Sequence, residues 1–402
     1  MKILELPNQR WKDYKVCYNR ITIMNFKKNI FYLVSMFLVV TLTHVEASPI
    51  PKPPNPNIKS YVLLDYDSGM VIASKNPELV LPPASITKIM TSYIAFLELQ
   101  NNTLSLHDKV LVSKKAWKTG GSKMFIEVGK KIKVSDILHG IITSSGNDAS
   151  VALAEHISGD EDTFSVYMNQ IASNMGLKDT NYTNSTGLPS EELYTSAADI
   201  ATLSRNLIKD FPKMYSLYSR KEYVFNDIKQ YSRNKLLYLD ESVDGIKTGY
   251  TKKAGYCLVS SAKRGKRRLI SVVMGAKSPE QRTNISKSLI EYGFRFYETH
   301  KVYKSQDIIH TARIFNGEKK ELKLGVLEDQ FIAIPRRSLK KIQNTFVIDS
   351  NLTAPVAKGE NVGYVMMKIN NEVITKINLY SLEDIKLGSA YRRTLDSILK
   401  KF

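Results

Sequence analysis

The chain has 402 residues, 43% hydrophobic and 9% aromatic, which suits two or three packed domains and excludes disorder along most of its length. Its formal net charge of +19 is spread along the chain without a nucleic-acid motif, so it reads as a basic surface suited to an anionic membrane or wall. There are two cysteines, Cys17 and Cys257; if the first lies in a leader, the mature protein has no intramolecular disulfide and is held by its core alone.

The first apolar run covers residues 30–42, with Lys27 and Lys28 before it and Val45-Glu46-Ala47 after it. A basic start, a short apolar stretch and a small-x-small exit describe a secretory signal peptide. The run is shorter than the roughly 20 apolar residues of a membrane span; an uncleaved N-terminal anchor is the alternative. Met24 stands where such a signal starts, so residues 1–23 are expected to come from an upstream start codon. Residues 48–57 are a proline-rich extended spacer.

From residue 61 to 73 the pattern predicts two strands around the turn Asp65-x-x-Ser68-Gly69. Apolar residues then recur at helical spacing from Ser85 to Leu99, and further helices are predicted over 134–144, 148–157, 197–207 and 284–297. Strands are predicted at 256–262 and 268–275, so strands flank a helical middle in an α+β arrangement. After His300 short alternating stretches separated by Asn316-Gly317, Lys358-Gly359 and Asn370-Asn371 predict an all-β domain over 301–382. Over 383–402 the spacing of Ile385, Leu387, Tyr391, Leu395, Ile398, Leu399 and Phe402 predicts an amphipathic helix, with Arg392, Arg393, Lys400 and Lys401 mostly off the apolar stripe. Such a helix suits the surface of an anionic membrane; docking on the β domain or a partner is the alternative.

Three short patterns carry chemistry. In Ser85-Ile86-Thr87-Lys88, after Pro82-Pro83, residues three apart share a helix face, so the lysine can reach the serine hydroxyl. The lysine acts as a base only if burial or a second cation lowers its pKa. Ser-x-x-Lys also occurs at Ser232, Ser260, Ser338 and Ser397, but Ser85 alone opens a long apolar helix after a Pro-Pro pair. Ser145-Gly146-Asn147 falls between two helices, where it either points into a cleft or simply caps a helix. Lys247-Thr248-Gly249 can bind a carboxylate and lets another backbone come close. The same tripeptide stands at Lys118, but the later copy leads into the strand at 256–262, where an edge could hold an extended peptide.

Together these match the signature set of penicillin-binding proteins and serine β-lactamases, and the chain resembles the low-molecular-mass penicillin-binding D-alanyl-D-alanine carboxypeptidases. The resemblance covers about residues 58–400 and includes residues 83–91, 145–149, 243–251, 254–256, 268–276, 292–296 and 352–356. It implies a transpeptidase-like catalytic domain over 58–300, no cofactor and no metal. It also implies Ser85 as nucleophile, Lys88 as its base and Ser145 as proton relay, with the N–H groups of Ser85 and Tyr250 as oxyanion donors. Asn147, Lys247, Thr248, Gly249, Tyr250, Arg233 and Arg282 are implied in binding substrate: Asn147 holds its amide, Lys247 polarises the site and Arg282 clamps its terminal carboxylate. The implied partners are a peptidoglycan stem pentapeptide and β-lactams, and the implied place is the outer face of the inner membrane, in the periplasm. A β-lactamase and a non-catalytic wall-binding scaffold are the alternatives. Gly146 stands where β-lactamases usually carry Asp, and Glu191-Glu192, in the stretch of their deacylating glutamate, reads as a solvated loop. There is no Gly-x-Ser-x-Gly elbow and no His-Glu-x-x-His zinc motif.

Overall fold

In strand β1 (Ser60–Asp65) every residue is buried, with Val62 and Leu64 facing one core and Tyr61 and Leu63 another. A strand apolar on both faces needs cover on both. The computed structural model of the chain, which describes residues 51–399, supplies that cover with helices. The Asp65 carboxylate accepts from the N–H (3.0 Å) and hydroxyl (2.8 Å) of Ser68, and Gly69 takes φ +70° to reverse the chain into β2 (Val71–Lys75). The proline-rich stretch lies against this hairpin: Tyr61 Oη donates to the Pro54 carbonyl at 2.7 Å and Lys75 Nζ to that of Pro56 at 3.0 Å.

The helical middle follows. A 3₁₀ turn, Ala84–Thr87, leads into α1 (Lys88–Gln100), so the single helix expected from Ser85 is a tight turn plus a helix. The small ribbon of β3 (Lys109–Leu111) and β4 (Lys131–Lys133), with α2 (Lys114–Lys118) between its strands, precedes α3 (Val134–Ile142), α4 (Asn147–Ser158), α5 (Glu161–Asn174) and α6 (Ala197–Asp210). Helix α5 was not expected: Gly159 (φ 86°) ends α4 and the Asp160 carboxylate caps the next helix at Thr163 N–H (2.7 Å). A hairpin of β5 (Glu222–Phe225) and β6 (Ile228–Tyr231) follows.

The chain then returns to the sheet through β7 (Val243–Thr251), β8 (Gly255–Arg264) and β9 (Arg267–Ala276), giving the antiparallel order β2-β1-β9-β8-β7. Lys247-Thr248-Gly249 therefore lies within the edge strand β7, and the strand it was expected to lead into is the interior neighbour β8. Helix α7 (Pro279–Phe296), capped by Ser278 with Pro279 in its first turn, covers one face through Ile285, Leu289 and Tyr292. The helices α1 and α3–α6 cover the other.

The texture changes directly after Phe296. Strand β10 (Tyr297–Tyr303) pairs with β13 (Gln330–Pro335). The strands β11 (His310–Arg313), β12 (Glu321–Gly325), β14 (Ile342–Ile348), β15 (Asn361–Ile369) and β16 (Glu372–Ser381) form a sheet in the order β11-β12-β16-β15-β14. Its own core contains Leu322, Leu324, Ile332, Val365 and Leu379, and Met70 from the β1–β2 turn packs against it. Buried Asp65 accepts from both Arg267 on β9 (3.2 Å) and Thr299 on β10, tying the first sheet to the β10–β13 pair.

Residues 383–389 are not helical. Ile385 bridges to Val356 and is buried in the β core, and Leu387 bridges to Gly317. Helix α8 (Ala390–Leu399) starts only after Gly388, where a Cβ would lie 2.6 Å from the Gly317 carbonyl oxygen. The apolar stripe counted from Ile385 thus begins at Tyr391, because Ile385 belongs to a paired extended segment. No helix among the described residues is long and apolar enough to cross a membrane. The apolar run at 30–42 lies outside the described residues.

Candidate active site

The 3₁₀ turn sets the first pair. Side chains at i and i+3 eclipse in such a turn, and Lys88 Nζ stands 3.3 Å from Ser85 Oγ. Lys88 is fully buried; its Nζ also donates to the Asn147 side-chain oxygen and to the Thr186 carbonyl, each at 2.6 Å. Burial, helped by the Arg233 charge and opposed by Asp148 and Glu161, pulls its pKa down to about 7. A buried amine that is half deprotonated near neutrality can accept the serine proton.

The second pair crosses the cleft. Ser145 sits in the left-handed region (φ 60°) between α3 and α4, and Lys247 Nζ, from the edge strand, donates to its hydroxyl at 2.9 Å. Lys247 is buried as well, and burial, then Lys88, Arg233 and Arg282, hold its pKa well below the usual lysine range. Strand β7 comes this near because Gly249 has no side chain: a Cβ there would lie 3.0 Å from the Pro83 carbonyl oxygen and 3.2 Å from Ala84 Cβ.

Residues outside the three motifs hold the motif residues in place. Asn147 is engaged at both ends of its amide, since Nδ2 donates to the Gly120 carbonyl at 2.7 Å. Its neighbour Asp148 is buried and accepts from the N–H groups of Met124 (2.8 Å), Phe125 (2.9 Å) and Ile126 (3.3 Å), pinning the loop that carries Gly120 and Ser122. On the opposite wall the Glu161 carboxylate accepts from Ser185 N–H (3.1 Å) and hydroxyl (2.8 Å), next to the carbonyl that Lys88 holds. Gly187 (φ +82°) lies so close to the nucleophile turn that a Cβ would sit 1.8 Å from the Ala84 oxygen. The stretch Asn184-Ser185-Thr186-Gly187 reads in sequence only as a turn.

These elements enclose a cleft of about 660 Å³. Ser85, Ser145, Asn147, Thr248, Gly249, Tyr250, Arg233 and Arg282 all line it, while Lys88 and Lys247 stand buried behind the two serines. Arg233 is exposed and donates to Ser122 Oγ at 2.7 Å. Arg282 donates to the carbonyls of Gly249 (3.1 Å) and Cys257 (3.2 Å), with its guanidinium over the Tyr256 ring, which also stacks on Tyr250 at 4.2 Å. Among the described residues no Asp or Glu lines the cleft, and Glu191 and Glu192 are exposed elsewhere. Ser232 and Lys235 line it too, but Lys235 is exposed and paired with Glu280 at 2.7 Å, so its amine is engaged away from Ser232.

The fold and the cleft together define a serine peptidase. Residues 48–278 match the family model for D-alanyl-D-alanine carboxypeptidase, and residues 297–387 match that for the penicillin-binding protein 5 C-terminal domain. The D-alanyl-D-alanine carboxypeptidase DacC of Escherichia coli (strain K12) is 39% identical over 357 residues, covering 87% of this chain and 89% of that protein. DacA of Haemophilus influenzae is 39% identical over 373 residues, covering 90% and 95%. Penicillin-binding protein 5 from Haemophilus influenzae superposes with a TM-score of 0.80 at 40% identity, covering 84% of this chain and 99% of that one. Penicillin-binding protein D2 from Listeria monocytogenes, solved with ampicillin bound, matches with a TM-score of 0.56 at 28% identity, covering 60% and 100%. The chain belongs to the D-alanyl-D-alanine carboxypeptidase family of penicillin-binding serine peptidases.

Proposed function

We propose that Ser85 carries the acyl group in the removal of the terminal D-alanine from peptidoglycan stem peptides. Ser85 Oγ attacks the carbonyl of the penultimate D-alanine and its proton passes to Lys88 Nζ. The C–N bond breaks, and the departing amine takes up a proton through Ser145. Water then cleaves the ester, and the shortened peptide leaves. The backbone N–H groups of Ser85 and Tyr250 serve the developing oxyanion, and Arg282, Thr248 and Arg233 give the peptide's carboxylate a cationic, acid-free surround. The observation that carries this assignment is the fully buried Lys88 amine beside Ser85. A β-lactam enters the same route and stays as the acyl-enzyme.

The test uses a fluorescent penicillin and a defined pentapeptide. Ser85→Ala is expected to lose both covalent label and D-alanine release while its unfolding transition stays in place. Label retained by that variant would move the nucleophile to another serine.

The proposed place of action is the periplasmic side of the inner membrane, with α8 as a peripheral attachment. Supporting this, α8 turns Arg392 and Asp396 toward the β domain and leaves Tyr391, Leu395 and Ile398 exposed. Vesicle co-sedimentation with and without α8 tests it.

A further inference from the structure

Between α8 and the β11–β12 hairpin lies a groove of about 650 Å³. Arg313 on β11 and Lys320 just before β12 line one wall, and Tyr391, Arg392 and Leu395 line the other. Two carboxylates also border it. Asp396 is buried and committed, accepting from the Asn316 N–H at 2.6 Å and lying 3.8 Å from Arg392. Glu321 faces Arg313 in the strand register without forming an ion pair with it among the described residues. Arg313 and Lys320 are exposed, and neither is paired with a carboxylate among the described residues; Arg313 rests over the Phe315 ring at 4.6 Å. The outer rim is apolar: Tyr391 is 79% exposed, Leu395 46% and Ile398 56%.

We infer that this groove binds the phosphodiester headgroup of an anionic phospholipid, with Arg313, Lys320 and Arg392 on the phosphate and the acyl chains running along Tyr391, Leu395 and Ile398. Arg313 and Lys320, unpaired with carboxylates among the described residues, attract a phosphate in such a recess, Arg392 adds a third cation although it lies 3.8 Å from Asp396, and large exposed apolar side chains beside them suit the chains that follow it. This rests on the reading of α8 as a membrane-facing helix. It adds to that reading that the β domain itself supplies headgroup contacts, so that attachment depends on residues far from α8 in sequence.

The test is calorimetric binding of dihexanoylphosphatidylglycerol, below its micellar concentration, to the full chain, beside sedimentation with phosphatidylglycerol vesicles. Arg313→Ser with Lys320→Ser is expected to weaken both bindings by roughly 30-fold, two basic contacts' worth. Lys386→Ser with Arg393→Ser removes the same charge outside the groove and should leave the soluble lipid bound as tightly as before. Equal losses in the two double variants, no binding of the soluble lipid, or equally tight binding of inorganic phosphate would overturn the assignment. Ile398→Glu reads the helix separately. If it leaves vesicle binding unchanged, the membrane-facing reading of α8 fails, while the soluble lipid still reports on the groove.

Discussion

Lys88 Nζ donates to the Asn147 side-chain oxygen at 2.6 Å, closer than its 3.3 Å approach to Ser85 Oγ. Asn147 therefore anchors the base. With the Lys88 pKa drawn down to about 7, the rate of penicillin acylation should rise with pH and level off above that value, because the neutral amine is the form that accepts a proton. Asn147→Asp places a negative charge against the ammonium and favours it, so the rising limb should move to higher pH. Lys88→Arg should be nearly inactive, since arginine does not deprotonate. Stopped-flow acylation across pH measures all three; a limb that moves down in Asn147→Asp would remove Lys88 as the titrating group.

Asp148 next to it has a different task. Its carboxylate satisfies the N–H groups of Met124, Phe125 and Ile126 inside the protein. Asp148→Ala leaves these donors without their acceptor, at about 1–3 kcal/mol for each one that stays buried and unpaired. Urea unfolding should show a loss of at least about 3 kcal/mol. Acylation should slow as well, because the pinned loop provides the carbonyl that orients Asn147. A loss below about 1 kcal/mol would mean that water replaces the carboxylate.

Two glycines rank by how tightly they are packed. A Cβ at Gly187 would collide with the backbone of Ala84 at 1.8 Å and needs φ +82°, so Gly187→Ala must displace the nucleophile turn. At Gly249 the nearest atoms are 3.0 to 3.3 Å away, a squeeze that small shifts relieve. Gly187→Ala should lose acylation almost entirely, and Gly249→Ala should retain a measurable rate. Penicillin labelling of the two, at equal folded fraction by circular dichroism, tests the order.

Ser85, Lys88, Ser145, Asn147 and Lys247 were legible as candidates because each motif is a local spacing. The residues that support them were not. Thr186 acts through a backbone carbonyl 98 residues from Lys88, so its side-chain identity says nothing of the contact. Glu161 reaches the same loop from a helix 24 residues away. Strand β7 escaped notice because Val243-Asp244-Gly245-Ile246-Lys247-Thr248-Gly249 lacks the apolar alternation of a strand; it pairs as one because β8 offers a ladder and Gly249 opens the way to the nucleophile turn. At the C-terminus, Ile385 fitted a helical spacing by count, yet a single apolar residue at the edge of a pattern is equally compatible with a strand, and pairing with Val356 decides it.

That last point determines where the attachment helix can be cut. From α8, Asp396 accepts from the Asn316 N–H at 2.6 Å and Arg392 reaches the Glu318 carbonyl at 3.5 Å, whereas Ile385, 1% exposed, fills part of the β-domain core and its backbone pairs with Val356 at 2.9 Å and 3.0 Å. Deleting residues 390–402 should therefore release the chain from phosphatidylglycerol vesicles while leaving D-alanine release from a soluble pentapeptide within about twofold, the cleft being built wholly from residues before Phe296. Deleting residues 384–402 removes Ile385 too; burying an isoleucine contributes about 1.5–3 kcal/mol, and the β domain should lose roughly that much in urea unfolding with no further change in vesicle binding. Sedimentation, product release and unfolding on the two truncations separate attachment, catalysis and packing. If the 390–402 deletion still sediments with the vesicles, α8 is not the attachment; if the two deletions unfold alike, Ile385 is not part of the core.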